Sequence, residues 1–160
     1  MFLNKARFSQ VIASAPLVSI DLLITNTQGE VLLGERLNRP ARGFWFVPGG
    51  RIFKNESLAT AFERLTTEEL GCRFSIKQAD LLGPFDHFYA DNVFTDEAEG
   101  DCGDDCTTHY VALAYALVIS KELGCLPISI QHKRYKWFSL AALKADSMVH
   151  SHTKRYFFPL

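Results

Sequence analysis

The chain lacks the features that mark membrane, nucleic-acid-binding and secreted proteins. Its longest apolar runs are broken by residues such as Ser19 and Asp21, so no segment is long enough to span a bilayer. A formal net charge of −1 argues against a strongly basic nucleic-acid binder. The opening residues Met-Phe-Leu-Asn-Lys lack the order of a signal peptide. These absences predict a soluble cytoplasmic protein that contacts neither membrane nor nucleic acid.

Cysteine is also scarce, with four residues among 160, at positions 72, 102, 106 and 125. In the predicted cytoplasmic location these side chains are expected to stay free thiols. Cys102 and Cys106 flank Gly-Asp-Asp and could form a metal clip, but the paired spacing and the four ligands of a zinc site are missing. We therefore expect no structural metal there.

The composition suffices for one domain over residues 1–160, with 48% hydrophobic and 12% aromatic residues. Charge is unevenly distributed, because residues 91–105 hold seven of the 18 acids and no Lys or Arg. The rest of the chain is therefore +6, from 17 bases and 11 acids. The acidic stretch is either a solvated loop or a sign that the basic remainder faces an anionic small molecule.

Hydrophobic periodicity predicts an α/β fold of the α+β type, with helices packed on a mixed sheet. The predicted order is helix 4–13, strands 17–25, 31–37 and 44–47, helix 57–70, strands 81–89, 107–119 and 134–138, and helices 140–144 and 149–157. Asn55 or Ser57 can cap the helix at 57–70, and Gly71 ends it. Pro48-Gly49-Gly50 predicts a sharp turn with unusual backbone freedom.

The most informative stretch is 50–72, where charged residues recur at fixed distances from glycines. Gly50 is followed by Glu56, Arg64, the pair Glu68-Glu69 and Gly71. This spacing resembles the box of the Nudix hydrolase family, a glycine loop followed by a carboxylate-bearing helix and a closing glycine.

The physical chemistry of the box agrees with that resemblance. Glu68 and Glu69 lie three and four residues after Leu65, so the three share a helical face. Adjacent carboxylates near a glycine-rich turn can hold a hard cation such as Mg²⁺. Arg64, four residues before Glu68, can brace the carboxylates. The alternative is that both glutamates are ordinary solvent-facing residues.

The box departs from the family pattern at one position. Leu65 follows Arg64 where the family has glutamate, so one metal-binding carboxylate is missing. This departure argues against a site with several metal ions at phosphorus.

Further segments resemble one branch of the family, the GDP-mannose mannosyl hydrolases. They are residues 38–41, 45–51, 62–66, 87–89, 107–111 and 131–132. The resemblance implies a Nudix fold with a sheet sandwiched between helices, and a homodimer. It also implies Mg²⁺-dependent hydrolysis of GDP-mannose, or GDP-glucose, to GDP and free hexose. Water would attack the anomeric carbon with inversion.

The resemblance also assigns roles to residues of the metal and diphosphate site. Glu69, Gln131 and the Gly49 carbonyl would bind Mg²⁺, and His132 would be the general base. Arg36 and Arg51 would clamp the diphosphate and help it leave.

Other residues would contact the sugar and the base. By the same resemblance Asp21 would position the sugar or stabilise positive charge on it, His87 would contact the sugar and Tyr110 would donate to the leaving phosphate. Phe2, Leu3 and Phe8 could stack beside guanine.

Structural roles remain open for the same residues. His132 could be a surface histidine on a loop, Asp21 could lie on the solvent side of the sheet, and His87 and Tyr110 could be sheet residues. We expect structural roles for His109, His150 and His152.

Two other functions remain open. The first is a Nudix pyrophosphohydrolase that cleaves a nucleoside diphosphate derivative at phosphorus. The second is a non-catalytic module that binds a nucleotide sugar.

Overall fold

The regular structure consists of a sheet with helices on both faces, in a computed structural model that describes residues 3–95, 107–120, 122–124, 126–128 and 130–158. The helices are α1 Lys5–Ser14, α2 Leu58–Leu70, α3 Leu140–Ala145 and α4 Ser151–Phe157. The strands are β1 Leu17–Thr25, β2 Val31–Arg36, β3 Trp45–Phe46, β4 Gly49–Arg51, β5 Asp80–Tyr89, β6 Thr108–Val118 and β7 His132–Phe138.

The sheet is mixed, as predicted. Strand β1 runs parallel to β6 from Leu17 opposite Tyr110 to Thr25 opposite Val118. The other pairings are antiparallel: β1 with β2 and β4, β2 with β3 and β7, and β5 with β6. The sheet order β3-β2-β1-β6-β5 therefore puts the long strands β1 and β6 at its centre.

Alternation along β1 divides the apolar side chains between two cores. Leu22 and Ile24 point to the face covered by α2, where they join Phe62 and Leu65. Leu23 points to the opposite face and joins a cluster that includes residues of α3 and α4. Since successive strand residues face opposite sides, β1 supplies both cores and the helices enclose the sheet.

Most predicted elements are confirmed to within one or two residues, including the caps of α2. Ser57 accepts a hydrogen bond from the Thr60 amide, and Gly71 ends the helix in the left-handed conformation at φ 68°. Both features agree with the preferences of helix ends.

The predicted turn at Pro48-Gly49-Gly50 is wrong. Gly49 and Gly50 belong to β4, which pairs with β1, and neither has a positive φ. The glycines are needed for space, because a Cβ on Gly49 would lie 2.3 Å from the Ile20 carbonyl oxygen. A Cβ on Gly50 would lie 2.7 Å from a Leu65 methyl group.

Several predictions fall partly or wholly outside the described residues. These are the contacts of Phe2, the thiols of Cys102, Cys106 and Cys125, and residues 96–106 of the acidic stretch. Cys72 is a free thiol. Among the described helices, none is long and apolar enough to cross a membrane.

Candidate active site

A cavity of about 440 Å³ opens between the box, α1 and the centre of the sheet. Its lining brings together most of the residues proposed for the site, although they come from distant parts of the chain. Those at the cavity are Leu3, Phe8, Asp21, Arg36, Gly49, Arg51, His87, Tyr110 and Gln131. Strand pairing explains part of this convergence, because Asp21 pairs with Gly49 and His87 pairs with Tyr110.

One wall of the cavity is lined by Arg51, Arg64 and Glu68, and Glu56 is bonded to Arg64 outside the lining; these four residues are called here the box wall. Arg64 donates from Nε and Nη2 to the two carboxylate oxygens of Glu56, at 2.7 and 2.9 Å. It also donates to Glu68 at 3.0 Å and to the Arg51 carbonyl at 2.9 Å. These bonds confirm the predicted brace. The hydrogen bonds from Arg64 hold the pKa of the Glu56 carboxyl below its usual value.

The adjacent glutamates Glu68 and Glu69 differ in their burial. Leu65 is 1% exposed and Glu69 is 2% exposed, so both point inward from α2. The Glu68 carboxylate is half exposed and lies at the cavity. The alternative in which both glutamates face solvent is therefore excluded for Glu69. Leu65 packs in the core, where a glutamate would have to bury its charge.

Glu69 and His132 form a buried pair that does not line the cavity. His132 Nε2 lies 2.9 Å from Glu69 Oε2, and the Tyr135 hydroxyl is hydrogen-bonded to the same carboxylate. Strand β7 begins at His132, two residues earlier than predicted, so His132 belongs to the sheet. His132 is therefore not a surface residue on a loop.

The second ring nitrogen of His132 is buried as well. His132 Nδ1 has no hydrogen-bond partner among the described residues, and a Cβ on Gly34 would lie 2.3 Å from it. Gly34 is thus the residue that lets the imidazole lie flat against β2. Both ring nitrogens are shielded from solvent in this arrangement.

The two arginines proposed to clamp a diphosphate both line the cavity. Arg51 lies over the Phe8 ring, 4.0 Å from its centroid, and its burial lowers the pKa of its guanidinium. Arg36 donates from Nε to the Pro40 carbonyl at 2.9 Å, which fixes the direction of the side chain. Guanidinium groups held in this way suit an anionic ligand because their donors are already oriented.

A second group, called here the histidine wall, consists of Asp21 and His87, which line the cavity, and of His152 and Tyr156, which contact His87 from outside the lining. Tyr156 donates to Asp21 Oδ2 at 2.6 Å, and its oxygen lies 3.0 Å from His87 Nε2. The His152 ring stacks on His87 with 4.3 Å between centroids. Asp21 is 7% exposed, so it does not lie on a solvated face of the sheet.

Burial disfavours the charged forms of the ionisable groups in and beside the histidine wall. Burial raises the pKa of Asp21 to about 6, against the opposing effect of the Tyr156 hydrogen bond. Burial, with repulsion from His152, lowers the pKa of His87 to about 3. Burial also lowers the pKa of His150 to about 4. At neutral pH these imidazoles are therefore uncharged.

Sequence reasoning missed Tyr156, which lies 135 residues from Asp21. The signal that could have found it is the spacing of His152, Thr153 and Tyr156, which places all three on the buried face of α4. Nothing local in the sequence connects that face with Asp21.

The candidate metal ligands fit a hard cation by their chemistry. Glu69, Gln131 and the Gly49 carbonyl all offer oxygen, which Mg²⁺ prefers. Among the described residues, no group of three or more His, Cys, Asp or Glu side chains is arranged to hold a metal ion. A site here would therefore depend on the amide of Gln131 and a backbone carbonyl as well as on carboxylate.

Comparisons with known proteins agree with this arrangement of box and sheet. A family profile described as NUDIX domain matches residues 15–159. The chain belongs to the Nudix family. A relative in Haloferax volcanii, "Low-salt glycan biosynthesis protein Agl8", is 43% identical over 128 residues, which cover 80% of this chain and 74% of the relative.

Solved Nudix structures share the fold. The MutT protein of Methanosarcina mazei Go1 has a TM-score of 0.66 at 21% identity, covering 90% of this chain and 92% of that one. The MutT NUDIX hydrolase of Burkholderia pseudomallei has a TM-score of 0.66 at 26% identity, covering 88% and 95%. The chain is thus a Nudix hydrolase, and such enzymes generally use a divalent metal ion.

Proposed function

We propose that this Nudix hydrolase cleaves a GDP-hexose, GDP-mannose or GDP-glucose, to GDP and free hexose by attack of water at the anomeric carbon with inversion. The observation that carries the proposal is Leu65. It is buried at the box position where the family has a carboxylate, so the box has one metal-binding group fewer for attack at phosphorus. The name of the 43%-identical relative, a glycan biosynthesis protein, is consistent with a sugar-containing substrate.

The positions of the charged groups support binding of a diphosphate on one side of the cavity. Arg36 and Arg51 bind and orient the diphosphate, and their fixed charges stabilise the negative charge that grows on it as it leaves. Tyr110, which lines the same cavity, donates a hydrogen bond to the leaving phosphate. Leu3 and Phe8 flank the guanine base, and Phe2 is proposed to join them.

The sugar is proposed to lie against the histidine wall. Asp21 orients the hexose and, when ionised, stabilises positive charge at the anomeric carbon, and His87 contacts a sugar hydroxyl. A diphosphate is an acidic leaving group, so the general acid that most glycosidases need is unnecessary.

His132 takes the proton of the attacking water in this proposal. Since both of its ring nitrogens are buried, it can act only after its contact with Glu69 opens. Glu69, Gln131 and the Gly49 carbonyl would hold Mg²⁺. A metal ion bound there would supply positive charge to stabilise the leaving diphosphate.

Cleavage at phosphorus is the second candidate. It is favoured by the acidic groups that the box retains, Glu56 and Glu68, both of which are bonded to Arg64 near the cavity. A binding module without turnover is the third, and it would show tight binding of a nucleotide sugar with no product.

Product analysis tests the proposal. Purified protein is incubated with GDP-mannose and Mg²⁺, and separately with GDP-glucose, and products are separated by chromatography. We expect GDP and free hexose, and no product when EDTA is present. GMP with hexose phosphate would establish cleavage at phosphorus. The proposed homodimer is tested on the same sample by light scattering.

A further inference from the structure

The hydroxyl of Tyr156 joins two side chains that line the proposed sugar side of the cavity. It donates to Asp21 Oδ2 at 2.6 Å and lies 3.0 Å from His87 Nε2. Tyr156 itself is 9% exposed and is not part of the cavity lining. Any effect it has on a bound ligand must therefore pass through Asp21 and His87.

The number of hydrogens available in this network determines which ring nitrogen of His87 carries the proton. A hydroxyl has a single hydrogen, and Tyr156 gives it to Asp21, so the contact with His87 requires a proton on Nε2. His87 Nδ1, 3.9 Å from Asp21 Oδ2, is then left with its lone pair. The low pKa of His87, about 3, agrees with a neutral ring.

Packing leaves these groups little freedom to rearrange. The His87 ring lies between His152, stacked at 4.3 Å, and the edge-on ring of Phe46 at 5.9 Å. The Tyr156 ring meets Phe85 edge to face at 4.8 Å. Asp21 lies on β1 opposite Gly49, where a Cβ would come within 3.3 Å of Oδ1.

Helix α4 is in turn fixed to the sheet just before it begins. The Trp45 amide donates to the Met148 carbonyl at 2.8 Å, and the His150 amide donates to the Trp45 carbonyl at 3.1 Å. These backbone bonds to β3 thus fix the start of the helix that carries Tyr156.

We propose that Tyr156 is a positioning residue, which fixes the orientation of the Asp21 carboxylate and the Nε2–H tautomer of His87 for recognition of the sugar. This inference rests on the proposed function for its catalytic consequence, but its structural part does not depend on turnover. Asp21 is presented to the hexose in one orientation, and His87 presents Nδ1 as an acceptor.

The test uses Tyr156→Phe, which removes the hydroxyl and keeps the ring that packs on Phe85. Its control is Tyr115→Phe, which removes the hydroxyl of another buried tyrosine, packed against Phe62 in the opposite core. With GDP-mannose, kcat of Tyr156→Phe should fall about 10-fold to 100-fold, as expected for hydrogen bonds to a charged group, while KM changes less than about 3-fold. The control should keep both constants.

A second readout is independent of turnover. Protein labelled with ¹⁵N in its five histidines is observed by NMR at neutral pH, with His87 assigned from the spectrum of His87→Gln. Wild type and Tyr115→Phe should show His87 with a protonated Nε2 and an unprotonated Nδ1. In Tyr156→Phe, the His87 ring should no longer be restricted to this tautomer.

An unchanged His87 spectrum in Tyr156→Phe overturns the proposal, whatever the rate. If wild type releases no GDP and hexose, the proposed function fails, and the His87 spectrum still decides whether Tyr156 positions the ring. Should Tyr156→Phe not fold, Asp21→Ala carries the same test. It removes the acceptor of the hydroxyl, which is then free to donate to His87 Nε2, and an unaltered His87 spectrum would again overturn the proposal.

Discussion

The two walls of the cavity hold their ionisable groups in opposite ways. On the box wall, Arg64 donates to Glu56 and Glu68, and these ion pairs keep charges stable close to solvent. On the histidine wall, burial holds His87 neutral and raises the pKa of Asp21 to about 6. Arg51 on the box wall, together with Arg36, is therefore suited to a charged diphosphate, and the neutral His87 to an uncharged sugar.

Anion binding and recognition of sugar hydroxyls are thus assigned to side chains that differ in their burial and charge. Arg36 and Arg51, proposed to bind the anion, are held by the Pro40 carbonyl and the Phe8 ring and present their charge to the cavity. Asp21 and His87, proposed to recognise sugar hydroxyls, are buried and joined through Tyr156. An unpaired charge at such a buried position would be destabilising. Variants that change one wall should leave the properties of the other largely intact.

The largest expected effect lies at the buried pair behind the box wall. His132→Gln should lower kcat for GDP-hexose by roughly 10²–10⁴-fold, the usual contribution of a general base. The control is His109→Gln, because His109 is partly exposed, pairs with Asp86 and lies outside the cavity lining. Steady-state rates of GDP release measure both, and full turnover by His132→Gln would rule out the base.

The next effect is on stability, from the brace of the box wall. Arg64→Ala leaves Glu56, whose side chain is 10% exposed, without its charged partner. We expect the free energy of unfolding to fall by about 2–3 kcal/mol, as for a partly buried ion pair that loses one member. Urea unfolding measures the change.

Arg73→Ala is the matched control for that measurement. Arg73 pairs with Glu63, but its side chain is 73% exposed. An exposed pair contributes less than about 1 kcal/mol. Equal losses in Arg64→Ala and Arg73→Ala would mean that the brace is an ordinary surface interaction.

Acidification should reduce the contribution of His87 in the histidine wall to folding stability, whereas the Glu56 carboxyl of the box wall should keep its charge. Burial lowers the pKa of His87 from its ordinary value of 6.5 to about 3 in the folded chain, so the unfolded chain takes up the proton first. The contribution of His87 to stability therefore falls as pH drops below about 6.5. At pH 5 the loss from His87 is about 2 kcal/mol. The Glu56 carboxyl, with its pKa lowered by Arg64, stays charged over the same range.

Urea unfolding at pH 7 and pH 5 measures this effect. His87→Gln should reduce the loss between the two pH values by about 2 kcal/mol, whereas His109→Gln should leave the loss as in wild type. If His87→Gln loses as much stability on acidification as wild type, the ring is not buried in neutral form.

The box wall was predictable from sequence because its contacts are local. Glu68 lies four residues after Arg64 on α2, so helical geometry alone brings these two together. Glu56 lies just before the helix, and the short segment from Glu56 to the cap Ser57 keeps it close to Arg64. The same rule placed Leu65, Glu68 and Glu69 on one face, but it could not show that Leu65 and Glu69 are buried while Glu68 is half exposed, since burial depends on where the sheet lies.

The histidine wall was only partly predictable because its contacts are long-range. The resemblance drew attention to Asp21 and His87, whereas Tyr156 reaches them through the packing of α4. His132 shows the same limit. The prediction began the last strand at 134, and only the pairing of His132 with Arg36 across β2 and β7 explains its burial.

The atom that water attacks distinguishes the two hydrolytic reactions most directly. The protein is incubated with GDP-mannose and Mg²⁺ in ¹⁸O-water, and the products are analysed by mass spectrometry. We predict unlabelled GDP together with mannose that carries one ¹⁸O, because water attacks the anomeric carbon. Label in a phosphate group, whether of GMP, mannose phosphate or GDP, would place the attack at phosphorus and contradict the proposed reaction.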